Sequence, residues 1–447
     1  MRAPASRLVC WGCGAVPEPE EPYPFRCPEA GVGDVDHVLV RILDLDRVEF
    51  PEGRAGPPFV HYRGLLHSHH RATAGGMSDD EFCEIAMGMD SAVAHVAGRG
   101  FQATPFGRNS TLSDHLGFSE LGGVWVKDET RNVAGSHKGR HLMGLLLHLE
   151  VAERLGLADP DVRPDLAIGS CGNAALAAAV VARAAGRRLR VFVPVDADPV
   201  VLSGLRGLGA EVVTCERTPG LPGDPAFARL RAEAAAGAIP FTCQGSENGL
   251  VIEGGETLAY EMVSVLRAEG VSLDHLVVQV GGGALASACL QGFQEAVDLG
   301  VLDHRPRTHT VQTSGGHPLE RAYERVRAGL APSPGPSAVH EALHRAARHR
   351  SSYMWPWEHE PHSIATGILD DETYDWRAIV DGMLVTGGRP LVVSEECLAR
   401  AHQLGHAAGY AVDATGSSGL AGLLDLVAAG DVGQDDRVGV LFTGVER

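Results

Sequence analysis

From about residue 120 the chain alternates short β-branched runs with longer Ala- and Leu-rich segments, and this alternation restricts the architecture more than any other feature. Strands are expected at Val124–Lys127, Leu166–Ile168, Leu189–Pro194, Glu211–Thr214, His275–Val280, Thr308–Thr313, Pro390–Ser394, Tyr410–Asp413 and Arg437–Phe442. Helices are expected at Arg140–Leu155, Ala174–Ala185, Val200–Leu208, Gly255–Ala268, Leu285–Asp298, Glu395–Ala408 and Gly419–Ala429. Such a rhythm predicts an α/β fold, a mostly parallel sheet wrapped by helices. Runs such as LVVQV and VGVLF suit strands covered on both faces. Upstream, residues 78–99 read as a helix that Ser78 or Asp79 can cap and Gly98 can end. Residues 1–60 form a weakly periodic extension bearing Pro, Glu and Cys. Residues 330–362 break the rhythm with APSPGPS, a turn or linker, and then a His-rich stretch. The spacing of HEALHRAARHR there fits a solvated basic helix face better than a metal site.

A chain of 447 residues is long enough for two large domains or three smaller ones. Its formal net charge of -19 argues against a nucleic-acid or anionic-membrane binder. No apolar run approaches the ~18 residues of a membrane span. The opening MRAPASRLVCWGCG has no apolar core of a signal peptide. Nine cysteines, an odd number scattered singly beyond Cys27, do not suggest a disulfide framework. A reducing cytoplasm is the expected location.

Of 38 basic residues only two are lysine, Lys127 and Lys138. A chain that uses Arg wherever Arg serves marks its lysines for inspection. An arginine keeps its charge and cannot act as a neutral amine nucleophile. Lys138 follows Gly135-Ser136-His137 and opens a predicted helix, where a cation opposes the helix dipole. An idle surface lysine is the plainer reading, but this is an odd place for one.

Three loops at the ends of predicted strands carry small or polar residues: Gly169–Ala174, Gly281–Leu285 and Thr443-Gly444. In open α/β sheets, ligands bind beyond the carboxyl ends of strands. Gly281, Gly282 and Gly283 follow LVVQV and precede a helix, so their N–H groups can cradle an anion. A triglycine is also a tight turn. It matches neither the dinucleotide nor the Walker fingerprint, which leaves a nucleotide-dependent enzyme a poor alternative.

Taken in order, these segments resemble the fold-type II pyridoxal-phosphate-dependent enzymes, most closely threonine synthase, over roughly Thr104 to Gly444. The motifs that carry the resemblance are VKDETRNVAGSHK, SCGNAA, the Gly281–Leu285 loop, Asn248 to Thr257, and Thr443 in VLFTG. The resemblance implies two open, mostly parallel sheets wrapped by helices. Residues 61–447 would form a catalytic region of two α/β subdomains, the smaller at about 155–250. It implies that Lys138 carries the cofactor as a Schiff base and that Asn173 lies beside the ring's 3-oxygen. Gly281, Gly282, Gly283, Ala284 and Leu285 would hold the phosphate, and Thr443 would face the pyridine nitrogen. Ser170, Cys171 and Gly172 would meet the substrate carboxylate, with Ser136 and Arg140 also on the substrate side. The Arg131 and Arg140 guanidiniums are suited to a phosphate ester.

The implied activity is β-elimination or β/γ-replacement on a hydroxy-amino acid or its activated phosphate ester. A threonine/serine dehydratase-type ammonia-lyase and a catalytically silent ligand-binding homologue are the alternatives. An amino-acid substrate and a homodimer are also implied. His137 and Gly139 stand where threonine synthases have Phe and Asp. At the N-terminus Cys10, Cys13 and Cys27 resemble a zinc ribbon one cysteine short. His37 or Asp34 could complete a four-ligand zinc site. A ribbon that has lost its metal is the alternative.

Overall fold

The computed structural model describes residues 3–217 and 223–447, so 218–222 of the segment expected as the smaller subdomain, about 155–250, lie outside the described residues. Twelve strands form three sheets among the described residues. Strands β1 (Ser6–Cys10) and β2 (Leu39–Leu43) make an antiparallel pair. A six-stranded sheet holds β3 (Phe106–Arg108), β4 (Gly123–Asp128), β9 (His275–Gln279), β10 (Arg307–Thr313), β11 (Pro390–Val393) and β12 (Arg437–Phe442). A four-stranded sheet holds β5 (Leu166–Gly169), β6 (Leu189–Pro194), β7 (Glu211–Cys215) and β8 (Ile239–Pro240).

The larger sheet runs β11-β10-β9-β12-β4-β3, parallel except for the β3–β4 edge, and the smaller runs β7-β6-β5-β8, all parallel. In the larger sheet the chain leaves β9 toward β10 and β11, while β12 and β4 lie on its other side. That reversal opens a crevice at the carboxyl ends of β9, β12 and β4. The strands beneath it, such as Val277, Val278, Val438 and Val440, are buried, as expected for a sheet covered on both faces.

The helix expected at 78–99 is Asp79–Ala97. Ser78 and Glu81 form a reciprocal capping box at its start, and Gly98 at φ 74° ends it. The His-rich stretch supplies the helix Pro336–Ala347, which buries Val339, Ala342, Leu343, Ala346 and Ala347. One expectation is corrected. Tyr410–Asp413 is not a strand but a single bridge, Val412 to Val445. The N-terminal extension packs onto the rest of the chain. Leu8 and Leu43 enter the main cores, and the buried Arg41 guanidinium donates to Glu256, Glu295 at 2.7 Å and Tyr260. No helix among the described residues is long and apolar enough to cross a membrane.

Candidate active site

Lys138 is the first residue of the helix Lys138–Arg154, and it is half-buried at the carboxyl end of β4. The loop leading to it is tightly built. Ala134 holds φ 55°, the one non-glycine with positive φ among the described residues. Ser136 bridges Gly444, and the His137 N–H donates to the Thr443 carbonyl at 3.3 Å. The lysine helix packs closely on the helix Val251–Glu269. A Cβ on Gly254 would meet the Arg140 carbonyl at 2.2 Å, and one on Gly255 would meet the His141 ring at 2.1 Å. The glycines of the Asn248–Thr257 motif thus let two helices touch and fix where Lys138 starts. Asn248 itself donates to the Pro240 carbonyl at 2.8 Å, and the Thr257 hydroxyl to the Gly254 carbonyl at 2.7 Å.

The other lysine is committed elsewhere. Lys127 is fully buried, paired with Glu261 and bonded to the Thr104 carbonyl at 3.0 Å. Arg140 belongs to the same buried network, which corrects its assignment to the substrate. Its guanidinium donates to Glu129 at 2.9 and 3.0 Å and to Glu261 at 2.7 and 2.9 Å. Thr257 and Thr104 take the remaining contacts. At 0% exposure it has no face left for a substrate oxyanion. Burial alone would raise Glu129, but Arg140 and Lys127 outweigh it and hold this carboxyl at about 2. Arg131, the other expected phosphate partner, is exposed.

Gly281–Gly283 form the turn from β9 into the helix Ala284–Asp298, whose first residues are buried and whose N-terminus no side chain caps. Orphan N–H groups at a buried helix start call for a partner, and an anion satisfies them. Leu369–Asp375 packs over this turn. The Tyr374 N–H donates to the Gly282 carbonyl at 2.8 Å, and the Thr373 hydroxyl to the Gly281 carbonyl at 3.0 Å. A Cβ on Gly281 would meet an Asp370 oxygen at 2.3 Å, and one on Gly282 the Tyr374 ring at 2.8 Å. Burial pushes the Asp370 carboxyl up to about 6, with Asp224 adding to the rise.

Thr443 ends β12. Its hydroxyl oxygen accepts from Gln279 Nε2 at 2.7 Å, and the same Nε2 donates to the Gly416 and Leu441 carbonyls at 2.9 and 3.1 Å. With its oxygen engaged as an acceptor, the hydroxyl has its own proton free to donate. Ser136 lies beside this strand end, buried, with no partner for its Oγ. Across the crevice, Ser170, Cys171 and Gly172 follow β5 and precede the helix Asn173–Ala184, which also starts without a side-chain cap. Cys171 is exposed, whereas Ser170, Gly172 and Asn173 are half-buried.

Some neighbours of Lys138 were not read from the sequence. Asp370, Asp375 and Cys243 lie within its electrostatic reach. Burial pushes Asp375 up to about 7, helped by Asp36. His137 is driven well below its usual range by burial and by Lys138. The stretch LDDETYD carries no periodic signal or motif that marks its acidic residues. Gln279 did leave a signal, as the one polar residue of LVVQV.

At the opposite end of the chain, Cys10, Cys13, Cys27 and His37 bring one ligand atom each within 4.8 Å of one another. Cys13 and Cys27 sulfurs are 3.5 Å apart, and Cys10 Sγ lies 3.8 Å from His37 Nδ1. Two thiolates on a tetrahedral zinc lie about 3.8 Å apart. His37 Nε2 faces the Val32 carbonyl at 3.0 Å. A proton there leaves the Nδ1 lone pair for the cluster. Asp34, the other candidate for fourth ligand, instead accepts from the Ser351 N–H at 2.8 Å and its hydroxyl at 2.7 Å.

A family model described as "Pyridoxal-phosphate dependent enzyme" matches residues 99–444. Threonine synthase from Methanocaldococcus jannaschii is 26% identical over 345 residues, which cover 76% of this chain and 74% of that protein. Among solved structures, a T.th. threonine deaminase aligns with TM-score 0.57 at 21% identity, over 81% of this chain and 98% of its own. Diaminopropionate ammonia lyase from Escherichia coli aligns with TM-score 0.58 at 18% identity, over 82% and 88%. At these identities the two structures share the fold.

Proposed function

The chain belongs to the pyridoxal-phosphate-dependent enzyme family, and from that premise we propose that it eliminates or replaces a β- or γ-substituent of an amino acid, with Lys138 as cofactor-bearing residue and base. One observation carries the reading. Of two lysines, one is consumed in a buried ion pair, and the other opens a helix between two uncapped helix N-termini and a buried hydroxyl. Those parts fit the cofactor. Gly283, Ala284 and Leu285 would hold its phosphate through N–H groups, and Thr443 would donate to its ring nitrogen. When bound, the cofactor supplies the electron sink that makes the substrate's Cα proton acidic.

The chain's own groups would do the rest. Lys138 takes the Cα proton and passes it to the departing hydroxyl, which leaves as water. The N–H groups of Ser170–Gly172, with the dipole of the helix they open, hold the substrate carboxylate. A hydroxyl at Thr443 in place of a carboxylate does not keep the ring nitrogen protonated, which favours elimination over transamination. Asp370 would face the phosphate as a neutral acid, since a neighbouring dianion pushes its pKa further up. Arg140 is committed to Glu129 and Glu261 and offers no cation to a substrate phosphate, which favours an unphosphorylated hydroxy-amino acid such as threonine or serine. The sequence likeness to threonine synthases supports a phosphate ester as the second reading.

Incubation with threonine, serine and O-phosphohomoserine tests the two readings. A 2-oxo acid with ammonia is the expected product set, while threonine release supports the second reading. A pyridoxamine form of the cofactor or a racemised amino acid as sole product would overturn both. Thr443→Val keeps shape and removes the O–H donor. It is expected to weaken cofactor affinity about 2- to 10-fold, the range for one neutral hydrogen bond. A cytoplasmic homodimer and the subdomain division at about 155–250 are part of the same proposal.

The Cys10, Cys13, Cys27 and His37 constellation is proposed as a structural zinc site, since four ligands leave no open position. Protein expressed with zinc should carry about one zinc per chain. Cys13→Ser is expected to lose the metal and lower the melting temperature while sparing the cofactor spectrum. Less than about one zinc per four chains would contradict it.

A further inference from the structure

The tail after β12 does more than end the sheet. The Val445 N–H donates to the Gly135 carbonyl at 2.9 Å, and the Glu446 N–H to the Ala411 carbonyl at 3.0 Å. The tail therefore runs between the loop that delivers Lys138 and the loop that precedes the helix Ser418–Ala429. At its end the Arg447 guanidinium crosses to the other sheet. Nη1 donates to Asn173 Oδ1 at 2.5 Å, and Nη2 donates to the Ala134 carbonyl at 2.8 Å. Asp413 stands on the other side of the same residue, and its carboxylate and Asn173 Nδ2 both border Gly444. A Cβ on Gly444 would lie 2.6 Å from Asp413 Oδ2 and 2.8 Å from Asn173 Nδ2, so glycine there lets the two approach.

These contacts fix the amide. A guanidinium carries donors only and a carboxylate acceptors only, so Oδ1 must face Arg447 and Nδ2 must face Asp413. Nδ2 is thereby turned to the Asp413 side, and its protons are left for that carboxylate and for a ligand in the crevice. The Arg447 contact is charge-assisted and stronger than a neutral one. Arg447 also joins the first residue of the helix Asn173–Ala184 to Ala134, the strained residue of the lysine loop.

We propose that Arg447 is a positioning residue of the cofactor site: with Asp413 it sets the amide of Asn173 and clasps the smaller subdomain to the Lys138 loop. The proposal rests on the reading that Asn173 faces the bound cofactor.

The test is the dissociation constant of pyridoxal phosphate for the full chain, for Arg447→Ala, for Asn173→Ala and for the double variant. Arg447 is exposed, so its own melting temperature should hardly move. Affinity is expected to fall about tenfold in Arg447→Ala, the lower end for a hydrogen bond to a charged group. In the Asn173→Ala background, removing Arg447 should cost nothing further, because the amide it acts through is gone. Unchanged affinity in Arg447→Ala, or losses that multiply in the double variant, would overturn the clasp. Unchanged affinity in Asn173→Ala would remove the premise, and the proposal with it, while leaving Lys138 untouched.

Discussion

Lys138→Ala is expected to fold, to hold pyridoxal phosphate only without a covalent bond, and to lose turnover by at least about 10³-fold. A positioned base alone is worth roughly 10²–10⁴-fold, and the same amine also carries the cofactor. Lys138→Arg should not recover the activity, because a guanidinium neither condenses with an aldehyde nor gives up a proton near neutral pH. Steady-state turnover with the preferred hydroxy-amino acid, beside a circular-dichroism melt, separates this from misfolding. Lys138 is half-buried and has no ion-pair partner among the described residues, so stability should change little. Retention of more than about a tenth of wild-type turnover would remove the amine from the mechanism.

The second large effect falls on the fold. Arg140→Ala is expected to destabilise the protein by about 3–5 kcal/mol, the range for deleting one partner of a buried ion pair. Glu129 and Glu261 would be left facing each other with only Lys127 between them. The measurement is the denaturant midpoint of the variant against wild type. Arg140→Lys should recover only part of the loss, because an ammonium cannot meet both carboxylates through two parallel bonds each. A variant with normal stability and a raised KM would instead return Arg140 to the substrate side. Exposed Arg131 is the internal control, and Arg131→Ala is expected to leave the midpoint unchanged.

The alternation of strands and helices was legible because apolar runs in a covered parallel sheet leave little ambiguity. β12 spans Arg437–Phe442 as expected, and β9 and β10 differ from expectation by one residue at an end. The loops at the carboxyl ends of β5, β9 and β12 were legible for the same reason: once the strands are placed, Gly, Ser and Asn at their ends stand out. What the sequence concealed depends on distance along the chain. Arg140 lies two residues from Lys138 and looked like a neighbour in function. Yet a helix turns by about 100° per residue, so positions two apart point to opposite sides. Its partners Glu129 and Glu261 are 11 and 121 residues away. Asp370 reaches the glycine turn from a segment about 90 residues on that has no periodic signal. Arg447 meets Asn173 across 274 residues, a pairing that no local pattern encodes. The sequence offers His37 and Asp34 alike as a fourth ligand, and only the fold, which commits Asp34 to Ser351, separates them.

The central claim is that the amine of Lys138 carries the cofactor, and the scarcity of lysine makes it unusually clean to test. Borohydride reduction of the purified enzyme, digestion and peptide mass mapping should place one phosphopyridoxyl group on the peptide containing Lys138, and none on the peptide containing Lys127. The buried Lys127, pushed down by burial and held by Glu261 and Glu129, has no access to an aldehyde. A phosphopyridoxyl label on Lys127, or a colourless protein that takes up no added pyridoxal phosphate and yields no labelled peptide, would contradict the account.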